Sequence, residues 1–589
     1  MFVKTIKSFL PYLKVYRTEI GIGIAALLVT DLAGLVIPWL LKQFIDLLPK
    51  NPSSALLAKY AGFLFLAALV QAVSRYGWRK YLFGPSRKIE FDILNRMFRC
   101  LQSLDRAWFL KQKVGDLMSR GANDLRAVKD FIGLGLLIMI DSAFVIVACV
   151  ALMLYLNPLL TFYSLLPLPF LSILFFKFVK TIGKRHLAIQ EHLGKITATV
   201  QENLAGIRVL HAFVQEEHQK KKFDELNRDY IEKNMRLTKI FGMFTPSLVF
   251  TVGVASMISL WVGGKMVISG DFTLGSFVAF NGYLLMLSWP MMGIGYVLNL
   301  SQKGLVSMGR IDEIFNAKSS LVSRPEKGAS LDEKAVEIKG AIIFNGLNFS
   351  YPGKKENCLH DISLEIKSGT RVALVGMIGS GKTTLVQLLS RVFDAEPGSI
   401  LVDGIPVVDI PLPRLREAIG YVEQDPFLFS TSLRENITMG MPDAAEEDIR
   451  DIIRCVNLWP DIERLPEGLD TIVGERGVSL SGGQKQRVAL ARALIKKPKI
   501  LILDDAFSSL DVETEKVIMN NVQDIIKGMT TLFVTHRFTM VREMDQIVVM
   551  DNGRVAEKGS HDDLIKREGL YHRIFKTQAL AMEMEISLQ

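Results

Sequence analysis

Long runs of apolar residues occupy the first half of the chain. A helix that crosses a lipid bilayer needs about 20 consecutive, largely apolar residues, and six runs reach that length. They cover residues 20–43, 58–83, 133–156, 158–180, 243–267 and 274–300. The pattern therefore predicts a membrane region of six transmembrane helices.

The polar segments between these runs are of two kinds. Short, nearly uncharged segments such as 157–158 and 269–273 alternate with the long segments 84–130 and 181–240, which are rich in Lys and Arg. Positively charged loops of membrane proteins stay in the cytosol. We therefore expect a multi-pass protein of the cell (cytoplasmic or inner) membrane with both termini in the cytosol. Apolar residues recur at helical spacing within the long segments, which predicts that the membrane helices extend beyond the bilayer.

Composition narrows the possible partners. The net charge of +9 at pH 7 could favour nucleic acid, but many of the Lys and Arg residues lie in loops between apolar runs, where they set membrane orientation instead. The four cysteines are scattered, without a CxxC pair. We therefore expect no nucleic-acid partner and no cysteine metal site.

A phosphate-binding loop is visible in the second half of the chain. Residues 372–375 predict a buried strand, and an apolar helical pattern follows at 385–393. Between them lies the G-x-x-x-x-G-K-[ST] pattern, in the strand-loop-helix context of a P-loop. Lys382 is expected to reach the β and γ phosphates of ATP, and Thr383 to bind Mg²⁺. The predicted ATP-binding residues of the loop are Gly376, Gly379, Ser380, Gly381, Lys382, Thr383 and Thr384.

A second apolar strand, residues 500–503, ends in Asp504 and Asp505. Ligands bind at the carboxyl ends of parallel strands in α/β proteins, so Asp504 is a candidate Mg²⁺ ligand. An apolar run before two acids is ambiguous alone, and the P-loop supports the assignment. The predicted organisation is a six-helix membrane domain at 1–305, a polar linker at 306–338 and an α/β P-loop NTPase domain at 339–589.

Further motifs give the chain a specific resemblance. Residues 480–487, LSGGQKQR, resemble the signature motif of ABC transporters and precede the 500–503 strand as that superfamily requires. Six upstream spans and the cytosolic motif at 115–120 also fit, so the chain resembles a bacterial ABC exporter half-transporter over essentially its whole length. The resemblance implies ATP and Mg²⁺ as cofactors and ATP hydrolysis that drives transport.

The resemblance also assigns roles to single residues. Tyr351 is similar to the aromatic residue that stacks on adenine, Gln424 to the Q-loop glutamine at Mg²⁺ and the attacking water, and His536 to the catalytic switch histidine. Ser508 and Asp511 belong to a segment that resembles the D-loop. In this family each ATP lies between the P-loop of one chain and the signature of the other. The signature residues expected to act in trans are Leu480, Ser481, Gly482, Gly483 and Gln484.

The chain departs from the family at Asp505, where most ABC ATPases have a glutamate that orients the attacking water. The aspartate carboxylate is set back by about 1 Å, and misplacement on that scale can cost roughly 100-fold in rate. We therefore expect a site that binds ATP well and hydrolyses it slowly. By resemblance, this aspartate with an intact signature is typical of one subunit of a heterodimeric multidrug exporter. A slow homodimer, or one in which His536 compensates, is the alternative.

Two carboxylates fall inside predicted spans. Asp31 and Asp141 are costly to place in a membrane and are therefore candidates for a substrate path that attracts cationic drugs. An internal ion pair with Arg75 is the alternative.

The predicted function is ATP-driven export of amphipathic, multidrug-type compounds by a dimer of ABC half-transporters in the lipid bilayer. A lipid or peptide flippase on the same scaffold and an ATP-gated regulator or channel stay open as alternatives. An ABC ATPase without transport is disfavoured because such proteins lack membrane spans.

Overall fold

The structure, a computed structural model, describes residues 2–50, 52–321, 337–354, 356–474, 477, 480–537 and 540–578. The chain divides into two compact units, one of residues 1–102 and 113–317 and the other of residues 103–112 and 318–589. The first unit is helical, and the second combines helices with two β-sheets. Much of the predicted linker, residues 322–336, lies outside the described residues.

Several helices of the first unit are much longer than a bilayer is thick. Helix α3 has 50 residues and α11 has 53, which is about 75–80 Å at the α-helical rise, against a hydrocarbon core of about 30 Å. In chain order, with the short α4 belonging to the second unit, the helices are α1 (Phe2–Val15), α2 (Arg17–Leu47), α3 (Ser54–Ser103), α4 (Arg106–Phe109), α5 (Val114–Ser119), α6 (Leu125–Asp130), α7 (Leu136–Leu156), α8 (Pro158–Leu165), α9 (Leu168–Ala205), α10 (Ile207–Ala212), α11 (Glu216–Ile268), α12 (Leu274–Met286) and α13 (Ser288–Phe315).

Helices occupy all six predicted spans. Among the described residues, five helical segments are long and apolar enough to cross a membrane, namely Arg17–Lys50, Ser54–Ser103, Val114–Leu156, Val249–Ile268 and Leu274–Phe315. The remaining prediction, 158–180, falls on α8 and α9, which are interrupted next to Pro167, a residue with no N–H to donate. The tight turn before α8 follows from Asn157, whose Oδ1 accepts a hydrogen bond of 2.9 Å from the Leu160 N–H.

Helix α13 continues ten residues beyond the predicted domain boundary at 305 and ends at Phe315. Leu305, Met308 and Ile311 recur at three-residue spacing, and all three are buried in one apolar cluster. Ile89 of α3 and Val128 of α6 belong to the same cluster. The predicted linker thus begins later than 306, because this apolar stripe keeps the chain helical.

Residues 103–112 belong to the second unit although their neighbours on both sides belong to the first. Asp105 caps helix α4, and its Oδ1 accepts a hydrogen bond of 2.8 Å from the Trp108 N–H. Its Oδ2 accepts hydrogen bonds from Ser319 and Ser320. Ala107 packs on an apolar cluster of the second unit. The predicted membrane domain, residues 1–305, is continuous, so the assignment of residues 103–112 to the second unit differs from that prediction.

Two sheets form the second unit. The smaller is antiparallel, with order β2-β1-β4-β5, and the larger has order β10-β9-β3-β8-β7-β6, in which only β10 is antiparallel to its neighbour. The strands are β1 (Ile342–Phe349), β2 (Leu359–Ile366), β3 (Arg371–Gly376), β4 (Ile400–Val402), β5 (Ile405–Pro406), β6 (Ile419–Val422), β7 (Ile500–Asp504), β8 (Thr530–Val534), β9 (Gln546–Asp551) and β10 (Arg554–Gly559). The helices are α14 (Lys382–Leu389), α15 (Leu412–Ala418), α16 (Leu433–Thr438), α17 (Glu446–Cys455), α18 (Trp459–Ile462), α19 (Gly482–Leu494), α20 (Val512–Ile526) and α21 (His561–Lys566).

The large sheet is covered on both faces. All five residues of β7 and all five of β8 are buried, as expected for central parallel strands. One apolar cluster contains Val375, Leu501 and Leu503, and the other contains Leu374 and Ile502, so the two faces of the sheet pack into two cores. The alternation of these side chains fixes the register of the strands and therefore the position of the loops that follow them.

Candidate functional site

Four neighbouring parallel strands bring the predicted site residues to one edge of the large sheet. In spatial order these strands are β3, β8, β7 and β6. The P-loop follows β3, His536 follows β8, Asp504 ends β7 and Gln424 follows β6. Because the carboxyl ends of parallel strands meet at the same edge, residues far apart in sequence become neighbours.

These residues line one cavity of about 470 Å³. Its volume falls within the range of small-molecule sites. The residues that line it are Tyr351, Lys354, Glu356, Cys358, Ile378, Gly379, Gly381, Lys382, Thr383, Thr384, Gln424, Asp504, Asp505, Val534 and His536. The structure therefore brings the predicted adenine, phosphate, metal and water contacts of this chain together.

The P-loop has a backbone that depends on glycine. The φ angles of Gly376, Gly379 and Gly381 are +149°, +82° and +99°, values that other residues rarely adopt. A Cβ atom at Gly376 would lie 2.2 Å from the carbonyl oxygen of Met550, and one at Gly381 would lie 2.6 Å from a methyl carbon of Leu359. Side chains at these positions would thus push the loop away from the sheet edge.

Lys382 is the first residue of α14 and is 5% exposed. Its Nζ donates hydrogen bonds of 2.9 Å to the carbonyl oxygen of Gly376 and 2.8 Å to that of Met377. Burial lowers the pKa of Lys382 to about 8, and the charges of Asp504 and Asp505 oppose that shift. Burial thus destabilises the charged ammonium group, and the negative charge of a bound phosphate would stabilise it.

The hydroxyl of Thr383 donates a hydrogen bond of 3.0 Å to Oδ1 of Asp504. The phenol of Tyr421 donates one of 3.2 Å to Oδ2 of the same carboxylate. Burial raises the pKa of Asp504, and these two hydrogen bonds oppose the rise. A hydroxyl and a carboxylate in contact at the foot of a phosphate-binding loop supply the hard oxygen ligands that Mg²⁺ prefers, so the residues present fit this ion.

Asp505 has a φ of +51°, in the left-handed region. Aspartate tolerates this region better than most residues. Its N–H donates a hydrogen bond of 2.8 Å to the carbonyl oxygen of Val534, which ties the ends of β7 and β8 together. The side chain lines the cavity, as does that of His536.

His536 is half-buried, and burial lowers the pKa of its imidazole, with the charge of Lys382 acting in the same direction. The imidazole is therefore neutral at pH 7. The carbonyl oxygen of His536 accepts a hydrogen bond from the side-chain amide of Gln578, in the last described segment of the chain. Sequence reasoning did not find Gln578, because no motif marks it.

Tyr351 reaches the cavity from the segment after β1. Its hydroxyl is 2.9 Å from Oγ1 of Thr384. Its ring makes edge-to-face contacts with Phe349 and Phe393 at 5.3 Å in both cases. These contacts fix the plane of the ring beside the phosphate-binding loop.

The signature residues do not line this cavity. Ser481 is exposed and caps helix α19, where its hydroxyl accepts a hydrogen bond from the Gln484 N–H and its own N–H donates one of 2.8 Å to the Gln484 side chain. Leu480 is half-buried, and Gly482 and Gly483 pack against Ser509. Among the described residues, the exposed start of α19 thus lies outside the cavity that the P-loop lines.

Hydrogen bonds that the sequence did not reveal fix the two D-loop residues, two at Ser508 and one at Asp511. The hydroxyl of Ser508 accepts a hydrogen bond of 2.8 Å from the side-chain amide of Gln486, in the helix after the signature. Arg537, next to His536, donates one of 2.8 Å to the carbonyl oxygen of Ser508. Asp511 caps α20 through a 2.8 Å hydrogen bond from the Thr514 N–H, which lowers the pKa of its carboxyl.

The two membrane carboxylates lie in the first unit. Asp31 of α2 and Asp141 of α7 are in hydrogen-bond contact with each other. The positive charge of Arg75 interacts electrostatically with both carboxyl groups. Asp31 is buried, and its Oδ2 has no hydrogen-bond partner among the described residues. The structure thus pairs the two acids, whereas the sequence considered them separately or with Arg75.

These features define a P-loop ATPase unit joined to a helical membrane unit. Residues 20–291 match the family described as ABC transporter transmembrane region, and residues 359–508 match the family described as ABC transporter. The chain belongs to the ABC transporter family, and its activity is ATP hydrolysis coupled to transport. The predicted fold class, a helical membrane domain fused to an ABC ATPase domain, is confirmed.

Relatives match along nearly the whole chain. The chain is 36% identical over 571 residues to the probable multidrug resistance ABC transporter ATP-binding/permease protein YheI of Bacillus subtilis (strain 168), covering 97% of both chains. It is 32% identical over 574 residues to the multidrug resistance-like ATP-binding protein MdlA of Escherichia coli (strain K12), covering 97% of this chain and 96% of MdlA. A bacterial Atm1-family ABC exporter solved with ATP bound is 25% identical, with a TM-score of 0.78 and coverage of 96% and 99%.

Proposed function

We propose that the chain is one half of a dimeric exporter that moves amphipathic, multidrug-type compounds out across the cell membrane. ABC exporters act as dimers in a lipid bilayer. The names of YheI and MdlA, which refer to multidrug resistance, support this substrate class. The carboxyl pair of Asp31 and Asp141 inside the helical unit supports a preference for cationic compounds.

The chemistry proposed for the ATP site assigns one task to each group. The P-loop amides and Lys382 bind the β and γ phosphates, and Tyr351 stacks on adenine. Thr383, Asp504 and Gln424 would hold Mg²⁺, which would supply positive charge to neutralise the phosphates of ATP. Asp505 and the neutral imidazole of His536 orient the water that attacks the γ-phosphate.

Asp505 carries the proposal that this site is the slow one of a heterodimer. The other residues predicted to contact ATP, Mg²⁺ or the attacking water line the same cavity, except Gly376 and Ser380 of the loop. Asp505 also lines it, but it is the position at which the residue type departs from the family pattern. Its carbon chain is one methylene shorter than glutamate, and a carboxylate misplaced by about 1 Å loses roughly 100-fold in rate. The intact, exposed signature at the start of α19 then completes the ATP site of the partner. A homodimer with two slow sites is the alternative assembly.

The test uses the chain together with the half-transporter that co-purifies with it. In inside-out vesicles we expect ATP-dependent uptake of a fluorescent amphipathic cation, and no uptake with Ser481→Arg. Translocation of a labelled phospholipid without dye uptake would favour the flippase, and ATP-dependent ion conductance without uptake of either would favour the channel. Purification of this chain alone in a fully active form would support the homodimer.

A further inference from the structure

Tyr421 lies in β6, beside the strand that ends in Asp504. The two strands are parallel, and Tyr421 is paired with Ile502, two residues before Asp504. Side chains of paired residues point to the same face of a sheet, as do residues two apart in one strand. Tyr421, Ile502 and Asp504 therefore share a face, and the long phenol spans the diagonal to the carboxylate.

The hydrogen bond that results engages one oxygen of the Asp504 carboxylate, and the other oxygen contacts Thr383. The phenol hydroxyl donates to Oδ2 at 3.2 Å, while Oδ1 accepts from Thr383 at 3.0 Å. Thr383 and Asp504 line the cavity, but Tyr421 does not. The carboxylate is thus held from behind by Tyr421 and presents its other oxygen beside Thr383.

The donor and the acceptor of this bond follow from the chemistry of the two groups. A phenol carries an O–H donor, and that of Tyr421 lies 3.2 Å from Oδ2 of Asp504. An ionised carboxylate accepts hydrogen bonds and donates none. A neutral phenol facing it is therefore an oriented donor, which limits rotation of the carboxylate about its χ2 bond.

We propose that Tyr421 is a positioning residue for Mg²⁺, which fixes the Asp504 carboxylate through Oδ2 so that Oδ1 and Thr383 together receive the ion. This inference depends on the proposed role of Asp504 as the Mg²⁺ carboxylate. Groups that orient a metal ligand from behind typically contribute 10- to 100-fold to metal affinity. Tyr421 does not touch the nucleotide cavity, so it acts only through Asp504.

The test is Tyr421→Phe in the full-length chain, which keeps the ring and removes the donor. We expect the Mg²⁺ concentration for half-maximal binding of a fluorescent ATP analogue to rise by about 10-fold. Binding of the same analogue in EDTA should stay within about twofold of wild type, because the phosphate-binding loop and Tyr351 are unchanged. Tyr571→Phe is the matched control, since it removes another buried phenol, whose hydroxyl is 2.8 Å from His561.

Asp504→Asn distinguishes a failure of the proposed Mg²⁺ site from a failure of the role inferred for Tyr421. If Asp504→Asn abolishes the Mg²⁺ dependence of binding and Tyr421→Phe leaves it at the wild-type value, Tyr421 is a packing residue and the inference is wrong. If Asp504→Asn itself leaves the Mg²⁺ dependence unchanged, the proposed metal site is wrong. Loss of nucleotide binding by Tyr421→Phe in EDTA would show a structural defect and would also overturn the positioning role.

Discussion

The phosphate-binding loop and the signature segment are two glycine-rich segments at the start of a helix in the same unit, and they differ in burial. Lys382, at the start of α14, is buried and faces the chain's own cavity. Ser481, at the start of α19, is exposed, and its side chain and N–H bond to Gln484 in the first turn of the same helix. The loop lines a cavity of its own unit, whereas the start of α19 is an exposed helix end outside that cavity.

In the proposed dimer, one chain contributes to two ATP sites. Changes at the loop are then expected to act on the nucleotide that this chain binds, and changes at the signature on the nucleotide that the partner binds. Gln486, farther along α19, donates a hydrogen bond of 2.8 Å to Ser508, three residues after Asp505.

The largest effect is expected from Ser481→Arg in the pair of half-transporters. The bulky cation would block the exposed start of α19, where the donors for the partner's γ-phosphate lie, and loss of such donors costs about 100- to 1000-fold in kcat. Steady-state ATPase of the reconstituted pair measures the loss. Labelling of this chain by a photo-crosslinking ATP analogue should stay at the wild-type level, and its loss would contradict the separation of the two regions.

Lys382→Ala is the complementary change at the loop. Charge-assisted hydrogen bonds are worth about 1.5–3 kcal/mol, so we expect this chain to bind the photo-crosslinking ATP analogue about 100-fold more weakly. Lys497→Ala, which removes an exposed lysine paired with Asp448, is the control and should label normally. Equal labelling of Lys382→Ala and wild type would refute the phosphate role of Lys382.

Asp505→Glu should raise hydrolysis by the chain purified without its partner by about 10-fold. The longer side chain restores reach toward the water, although the left-handed backbone at this position suits glutamate less well than aspartate. Asp505→Asn, which keeps the size and removes the charge, is the control and should lower the rate of the isolated chain.

In the pair, Asp505→Asn should cost much less than Ser481→Arg, because the competent site uses the partner's carboxylate. The slow-site proposal must be abandoned if Asp505→Asn silences the pair as completely as loss of the partner's catalytic carboxylate. Asp505 would then be a working general base.

The parts of this site that the sequence predicted are those that a local pattern determines. The P-loop and the strand before Asp504 each lie in one continuous segment, and parallel pairing then brings their ends together. Tyr421 and Gln486 act through partners some 20 to 80 residues away, so no local pattern marks them. The inclusion of residues 103–112 in the second unit likewise depends on a distant partner, because Ser320 donates a hydrogen bond to Asp105.

Prediction of the membrane unit from the sequence is limited for the same reason. Helical spans follow from apolar length, but the rotation of each helix about its axis depends on packing between helices. The sequence therefore located Asp31 and Asp141 without revealing that they meet. Conversely, the end of α13 at Phe315 was available from the three-residue spacing of Leu305, Met308 and Ile311, which the prediction of a linker from 306 overlooked.

The smallest expected effect tests whether the signature segment is independent of the P-loop of the same chain. The side chain of Gln484 accepts a hydrogen bond of 2.8 Å from the Ser481 N–H and donates one of 2.8 Å to Asp461. Gln484→Ala removes both bonds, and loss of a helix cap typically costs about 1 kcal/mol. For a unit of this size we expect the midpoint of thermal unfolding to fall by about 2–4 °C.

Gln484→Glu is the matched control: glutamate also completes a capping box, so the midpoint should fall less. Nucleotide binding by the chain's own P-loop should stay within about twofold of wild type in both variants, because the side-chain partners of Gln484 among the described residues, Ser481 and Asp461, do not line that cavity. A loss of own-site binding that matches the loss of stability would show that the two helix starts are coupled within one chain, and the contrast between them would have to be given up.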